Sequence, residues 1–260
     1  MEPVASQLDA FERQSTSAQC VDHSVRGALA DVSIVIPIAA NDESWRSLIL
    51  DLAAVGTEAE WLLVAAQAKP RNFDSLVAEI GALSAARWLV TSPGRAEQMN
   101  CGAKLSRRRF LWFLHADSRI GPSAVGALER SLQLHPDAIQ YFDLEFQHDG
   151  PRLARLNAFG ARLRSRWLGL PFGDQGLCLR RDSFWRLGGF DEAAPYGEDH
   201  LLIWAARRAR IPLHPVGAVI ATSARKYASN GWLATTALHG WRTWRQAIPQ
   251  FIQLGWDRRQ

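Results

Sequence analysis

The chain has 260 residues, of which 47% are hydrophobic and 22% are charged, a composition typical of globular proteins. Lys and Arg exceed Asp and Glu by only 30 to 26, which does not indicate a nucleic-acid partner. The three cysteines, Cys20, Cys101 and Cys178, have no CxxC spacing. A zinc site or disulfide framework is therefore not indicated, and a reducing cytoplasm is predicted.

The ends of the chain carry no targeting or membrane-spanning pattern. Residues 1–30 mix polar and small side chains without an apolar core, so we predict a poorly ordered N-terminal tail and no secretory signal. No stretch of about 18 apolar residues occurs, so no transmembrane helix is expected.

From residue 31 the pattern alternates between strands and helices. The apolar runs at 31–38, 61–66, 87–91 and 109–114 predict four buried strands. Each is followed by apolar residues at helical spacing, first Trp45, Leu48, Ile49 and Leu52, then Leu76, Val77, Ile80 and Leu83, then Ala96, Met99 and Ala103, and last Ala124, Val125, Leu128 and Leu132. This β-α order predicts an α/β fold with a mostly parallel sheet flanked by helices.

The second half is less regular. Strands are predicted at 139–146 and 176–181, and helices at 152–170, 182–192 and 198–209. The sequence thus predicts one α/β domain over residues 31–230, followed by a C-terminal amphipathic helical segment at 231–260.

Polar residues stand where a parallel sheet binds ligands, outside the carboxyl ends of its strands. Asp117 ends the fourth strand in FLHAD, and it either caps a turn or holds a metal ion or phosphate. Arg95 follows the third strand and is either a solvated arginine or a partner for a diphosphate. Asn100 lies farther along the same helix.

Two further segments carry acids. Asp174 and Gln175 lie in the loop PFGDQG, and Glu198 and Asp199 open the helix that follows PYG. Acids in a first turn also serve as helix caps, and that alternative stays open at this point. The chain has no GxGxxG, GxxxxGK[ST] or GxSxG, so the dinucleotide, P-loop and serine-hydrolase classes are not indicated. A phosphatase with a DxD motif is not indicated either, because His115 stands where such an enzyme carries its nucleophilic aspartate.

In this order, GRAEQMNCGA, FLHAD, PFGDQ, GGF and ED resemble a family 2 glycosyltransferase of the GT-A fold over roughly residues 31–245. The chain is most similar to the bacterial subgroup labelled radical-SAM/selenodomain-associated glycosyltransferases. The resemblance implies a nucleotide-sugar donor, a divalent metal ion (Mn²⁺ or Mg²⁺) and inversion at the sugar carbon.

The resemblance also implies residue roles. Asp117 would hold the metal ion and the donor diphosphate, and Pro37, Arg95 and Asn100 would lie along the donor. Asp174 and Gln175 would face the acceptor. Asp199 would act as the general base, with Glu198 beside it. Because adjacent helical residues point about 100° apart, only one of the two acids is expected to face the pocket.

Two positions depart from the family pattern, and both fall in the expected nucleotide pocket. Asn41 follows Pro37 one residue late, and the second strand ends in Ala65 and Ala66 where the family usually has an aspartate that reads the base. Weak base selectivity is therefore predicted.

Residues 231–260 alternate Trp and Arg, as in a helix that lies at a membrane surface. The alternative is that Trp232, Trp241, Trp244, Phe251 and Trp256 pack back on the domain. A peripheral position at the inner membrane face would fit the first reading.

The predicted function is thus sugar transfer to an unknown acceptor hydroxyl. The alternatives are a nucleotidyltransferase acting on a sugar phosphate and a GT-A-like binding module without catalysis. A nucleotidyltransferase would release pyrophosphate, and a binding module would form no product.

Overall fold

A computed structural model describes residues 29–82, 85–229 and 231–257. Cys20, Leu83, the predicted N-terminal tail up to residue 28, and the side chains of Phe251 and Trp256 lie outside the described part. The described residues contain seven strands, namely β1 (Val32–Ile38), β2 (Glu60–Ala65), β3 (Ala86–Val90), β4 (Phe110–Phe113), β5 (Ile139–Phe146), β6 (Cys178–Arg180) and β7 (Leu213–Thr222).

The helices in chain order are α1 (Trp45–Ala54), α2 (Phe73–Glu79), α3 (Arg95–Leu105), α4 (Pro122–Leu134), α5 (Ala154–Leu168), α6 (Arg181–Arg186), α7 (Glu198–Arg208), α8 (Arg225–Ser229) and α9 (Trp232–Asp257). A short 3₁₀ turn covers Gly173–Gln175. Every helix and strand predicted before residue 210 is present, with bounds that differ by a few residues.

The strands form one sheet in the order β3-β2-β1-β4-β6-β5-β7. Strands β1 to β4 pair in parallel, as predicted, whereas β6 runs antiparallel between β4 and β5. The chain reverses its direction of travel across the sheet between β1 and β4. In open α/β sheets this switch point is where ligands bind.

Side-chain alternation along the strands builds a core on each face of the sheet. Ile34 and Ile36 of β1 pack with α1, α2 and α4, while Val35 packs on the other face with α3, α6 and α7. All seven residues of β1 are buried, as expected for a central parallel strand. Helix α3 approaches the sheet closely at Gly102, where a Cβ atom would collide with the side chain of Val35.

The structure adds strand β7 and the short helix α8, which the sequence did not predict. Strand β7 pairs in parallel with β5, with a register irregularity between Tyr141 and Asp143. Within the predicted C-terminal helical segment, residues 232–257 form one continuous helix that includes Pro249. Ala247 of this helix is fully buried in the core beside α7. Within the described residues, no helix has the length and apolarity needed to cross a bilayer.

Candidate active site

The segment after β4, the loop before β6 and the start of α7 meet around a cavity of about 280 Å³. The cavity lies beyond the carboxyl end of β4, next to the switch point of the sheet. Four of the predicted site residues line it, namely Arg95, Asp117, Asp174 and Asp199. Residues that are 22 to 104 positions apart in the chain are thus brought together where the family resemblance implies a site.

Asp117 is partly exposed, and its hydrogen bonds connect the segment after β4 with the end of β7 and the residue after β5. Its Oδ1 accepts a hydrogen bond from the Thr222 hydroxyl at 3.3 Å, and its carbonyl oxygen accepts one from Gln147 Nε2 at 3.0 Å. A second polar cavity of about 590 Å³ also includes Asp117. Its charged lining consists of four acids and two arginines, namely Asp42, Glu43, Asp117, Asp149, Arg119 and Arg225. The net negative charge does not favour the binding of an anion.

Arg95 connects the third β-α loop with α7. Its Nε lies 3.2 Å from Glu198 Oε1, and its Nη2 lies 3.9 Å from Asp199 Oδ2. The same Nη2 is 2.6 Å from His115 Nε2. The guanidinium therefore already neutralises part of the acidic charge at the start of α7, and it remains partly exposed beside the cavity.

Asp199, and not Glu198, lines the cavity, so one of the two adjacent acids faces it, as predicted. The two Asp199 oxygens accept hydrogen bonds from the backbone N–H groups of Gly173 and His200. These contacts fix the carboxylate against the loop that carries Asp174. Glu198 is buried beside Arg95, and its Oε1 makes an ion pair without hydrogen-bond geometry.

Asp174 is half-buried, and charged side chains surround its carboxyl. Its Oδ1 is buried without a hydrogen-bond partner. Burial raises the pKa of its carboxyl, the nearby Arg164 and Arg95 oppose that rise, and the charges of Asp199 and Asp117 add to it. Burial likewise lowers the pKa of Arg164. A carboxyl that holds its proton more tightly than usual thus lies between the other two acids of the cavity.

Three of the predicted binding residues do not face the cavity. Gln175 is fully buried, its Nε2 donates to Phe142 O at 2.8 Å, and its Oε1 accepts from Ser165 Oγ at 2.7 Å. Its amide holds the loop in place, contrary to the predicted contact with an acceptor.

Asn100 exchanges hydrogen bonds with the backbone of Phe190 at 2.8 and 3.0 Å, and it also donates to Glu192. Its amide therefore joins α3 to the loop after α6 and is not aimed at a donor. Pro37 is buried inside β1, in register with Val64, so its ring is not available to a ligand.

Helix α9 supplies part of the cavity wall, which the sequence did not predict. His239, Arg242, Thr243 and Gln246 line it. Gln246 Oε1 lies 3.1 Å from His200 Nδ1, and Gln246 Nε2 donates to Tyr196 O at 2.7 Å. Burial lowers the pKa of His200, and the neutral ring can also accept the hydrogen bond from Trp204 Nε1 at 3.0 Å.

The local structure explains the glycine in the segment PYGEDH. Gly197 has a φ of +70°, and a Cβ atom there would collide with the side chain of Gln246. The glycine next to the predicted base therefore allows α9 to pack closely against the start of α7. The two contacting residues are about 50 positions apart, so a local sequence pattern could not predict this contact.

No protein-family model and no curated protein sequence matches the chain. Among solved structures it is similar to TarS from S. aureus. With TarS 1–349 the TM-score is 0.58 at 15% identity, over 74% of this chain and 60% of that one. With TarS 1–349 in complex with UDP-GlcNAc the TM-score is 0.56 at 16% identity, over 74% of this chain and 58% of that one. A structure of TarS 1–349 in complex with UDP is similar to the same extent as the first, with a TM-score of 0.58.

The chain thus spans about three fifths of TarS 1–349. At this level of identity the likeness shows the fold, and the fold is GT-A, as the sequence predicts. The narrower radical-SAM/selenodomain-associated subgroup stays a prediction.

Proposed function

We propose that this protein is an inverting glycosyltransferase that moves a sugar from a nucleotide-sugar donor to an acceptor hydroxyl, with the help of a divalent metal ion. The observation that carries the proposal is the single cavity that Asp117, Asp199 and Asp174 share beyond the carboxyl end of β4. The similarity to a GT-A protein solved with UDP and with UDP-GlcNAc supports the class of donor.

The residues around Asp117 fit a metal ion that binds together with the donor. Among the residues that the structure describes, no group of three or more His, Cys, Asp or Glu side chains could hold an ion alone. Mg²⁺ is commonly bound by one or two carboxylates together with substrate phosphates. The carboxylate of Asp117 would supply the protein ligand, and the bound ion would neutralise the leaving diphosphate.

Asp199 is the general base of the proposed reaction. The acceptor hydroxyl gives its proton to the Asp199 carboxylate while its oxygen attacks the anomeric carbon of the sugar. The bond from that carbon to the diphosphate breaks, and the nucleoside diphosphate leaves. A single displacement inverts the configuration. The backbone N–H groups of Gly173 and His200 hold the carboxylate in position for this step.

Arg95 and Glu198 position these groups. The ion pair of Arg95 with Glu198 places the guanidinium at the edge of the cavity, 2.6 Å from His115 and within 3.9 Å of Asp199. There it can contact a donor phosphate in the cavity.

Titration calorimetry with UDP- and GDP-sugars, with and without Mn²⁺, tests the proposal. We expect donor binding that requires the metal ion, and at least about a hundredfold weaker binding for Asp117→Asn, because a charged ligand is lost. The Asn side chain can still accept the hydrogen bond from Thr222, so the fold is retained.

Asp137→Asn is the matched control, since this exposed acid pairs with Arg180 outside the cavity. Asp117→Asn that binds donor and metal ion like the parent would contradict the assignment. Release of pyrophosphate instead of a nucleoside diphosphate would identify a nucleotidyltransferase, and absence of donor binding would identify a binding module.

A further inference from the structure

Helix α5 carries a stripe of large apolar side chains that faces solvent. Leu156, Phe159, Leu163 and Trp167 follow each other at intervals of three and four residues, so they share one face of the helix. They are between 46% and 82% exposed. The opposite face, with Ala161 and Ser165, is buried. An amphipathic helix normally turns its apolar face inward, so this stripe lacks a partner in the described chain.

Helix α9 carries a second stripe. Leu233, Trp241, Trp244 and Ile248 lie on one face of the helix and are all more than half exposed. Large contiguous apolar surface of this kind marks a site of interaction with a protein or membrane. Two helices that are far apart in the chain therefore present the same kind of surface.

A groove of about 470 Å³ lies between α5 and α9, and one residue of each stripe lines it. Leu156 and Leu168 of α5 line one side, and Trp244 of α9 lines the other. At its inner end the groove reaches Phe172, Asp174 and Tyr227, which also line the catalytic cavity. An apolar path thus leads from the exposed stripes to the acids of the proposed reaction.

The charge around this surface has one sign. Residues 152–168 and 232–250 contain no Asp or Glu but seven arginines. Arg162 and Arg166 pair with Asp143, Arg164 is turned inward over Phe172, and Arg242 lines the catalytic cavity. The other three are exposed to solvent, namely Arg152, Arg155 and Arg245. Apolar side chains flanked by arginines suit the boundary of an anionic bilayer. Two copies of this surface would bring arginines against arginines, which disfavours self-association.

We propose that α5 and α9 dock on an anionic membrane and that the acceptor is a membrane lipid. Its apolar chain lies in the groove and its hydroxyl reaches Asp199. This inference rests on the proposed function and names its acceptor class. The lipid hydroxyl oxygen forms the new bond to the anomeric carbon, the bond to the diphosphate breaks, and Asp199 takes the proton. The products are a glycolipid and a nucleoside diphosphate.

Docking is tested by sedimentation with vesicles of phosphatidylglycerol and phosphatidylcholine, compared with phosphatidylcholine alone. We expect binding to the anionic vesicles and release by salt. The double variant Phe159→Ser/Trp241→Ser should bind about tenfold less, because two exposed side chains lose their apolar contact with lipid. Neither residue lines the catalytic cavity, so donor binding should be unchanged.

Leu134→Ser is the matched control, because Leu134 is 74% exposed at the end of α4, on another surface. Vesicle binding of the double variant equal to the parent would overturn the docking. A parent that is dimeric, binds no vesicles and becomes monomeric on these substitutions would show self-association and would also overturn it.

The groove is tested by filling it. Gly160 and Gly240 line it, and a Cβ atom at either position meets no atom within 4 Å. Gly160→Phe and Gly240→Phe should therefore fold, bind donor and bind vesicles. They should lower transfer to lipid at least about tenfold, because the chain of the acceptor is displaced from the groove. Gly126→Phe on α4 is the control.

Transfer is measured as donor label that becomes extractable into organic solvent from vesicles of a total lipid extract. Label that stays water-soluble while donor binds, or groove variants with normal lipid transfer, would overturn the lipid acceptor and leave the proposed function intact. A protein that binds vesicles but no nucleotide sugar would overturn the proposed function itself and, with it, the lipid's role as acceptor.

Discussion

The carboxylate of Asp199 is held by two backbone N–H groups, and it faces the cavity while Glu198 does not. Asp199→Asn should lower turnover by ~10²–10⁴-fold, the usual contribution of a general base, with donor affinity nearly unchanged. Glu198→Gln should cost less, because its side chain acts through Arg95. Steady-state kinetics and donor titration measure both effects.

An asparagine at 199 can accept only one of those two hydrogen bonds, so part of the loss could come from displacement of the loop. The Tm of the variant controls for this. If Glu198→Gln slows turnover more than Asp199→Asn, Glu198 is the base. If neither slows it, Asp174 becomes the candidate, since it lines the same cavity.

Asp174 gives a prediction about stability and pH. Burial raises the pKa of its carboxyl in the folded protein, whereas the unfolded chain loses this proton near pH 3.9. The native state therefore binds more protons above that pH, so its stability falls as pH rises through the folded pKa. Asp174→Asn removes this cost, and it should raise Tm at pH 7 while lowering activity.

Thermal unfolding of the parent and of Asp174→Asn at several pH values measures the effect. The gain in Tm should shrink toward pH 4, where both states of the parent become protonated. A lower Tm of the variant at pH 7 would show that the attraction between Asp174 and Arg164 outweighs the burial of the carboxyl.

At the level of single residues, sequence reasoning predicted which acids line the cavity better than it predicted the positions of the amides. Asp117 follows a strand, and Asp199 lies in the first turn of a helix. Both positions direct a side chain to the edge of the sheet. Asn100 and Gln175 occupy comparable positions, but their hydrogen bonds close on the backbone of Phe190 and Phe142. Such partners lie more than 30 positions away, so a local pattern cannot reveal them.

Among the elements, the first four β-α units were predicted because each buries one regular stripe of apolar residues. Strand β7 was missed because Pro215 and Gly217 lie inside it, and both residues are unusual within strands. The placement of β6 between β4 and β5 depends on pairing, which the sequence pattern does not encode. Helix α9 was treated as a separate segment, since Gln246 and Ala247 show their inward contacts only in the folded protein.

Two helical glycines test how closely the elements pack. A Cβ atom at Gly102 would approach Val64 Cγ2 to 3.1 Å and would collide with Val35, so Gly102→Ala should destabilise the protein by about 1–3 kcal/mol. Gly160 is in open space, and Gly160→Ala should stabilise α5 by about 0.5–1 kcal/mol. Urea denaturation measures both, and equal effects would contradict the close approach of α3 to the sheet.

For the whole molecule, ligand binding and stability are linked, because a ligand that binds only the native state raises Tm. At a donor concentration of about 100 Kd the gain is about 2.7 kcal/mol, or roughly 5–10 °C for a chain of this size. We expect this shift with nucleotide sugar and Mn²⁺ together, and little with either alone, since in the proposed site the metal ion is held jointly by Asp117 and the donor diphosphate.

The same measurement tests base selectivity. Ala65 is fully buried at the end of β2, and the exposed Ala66 and the partly exposed Gln67 that follow it carry no carboxylate to read a base. Gln67 Oε1 instead accepts a hydrogen bond from the Asn41 backbone at 3.2 Å. UDP- and GDP-sugars should therefore differ in binding by no more than about 2 kcal/mol, roughly one or two polar contacts. A shift in Tm with uridine donors alone would mean that another group reads the base.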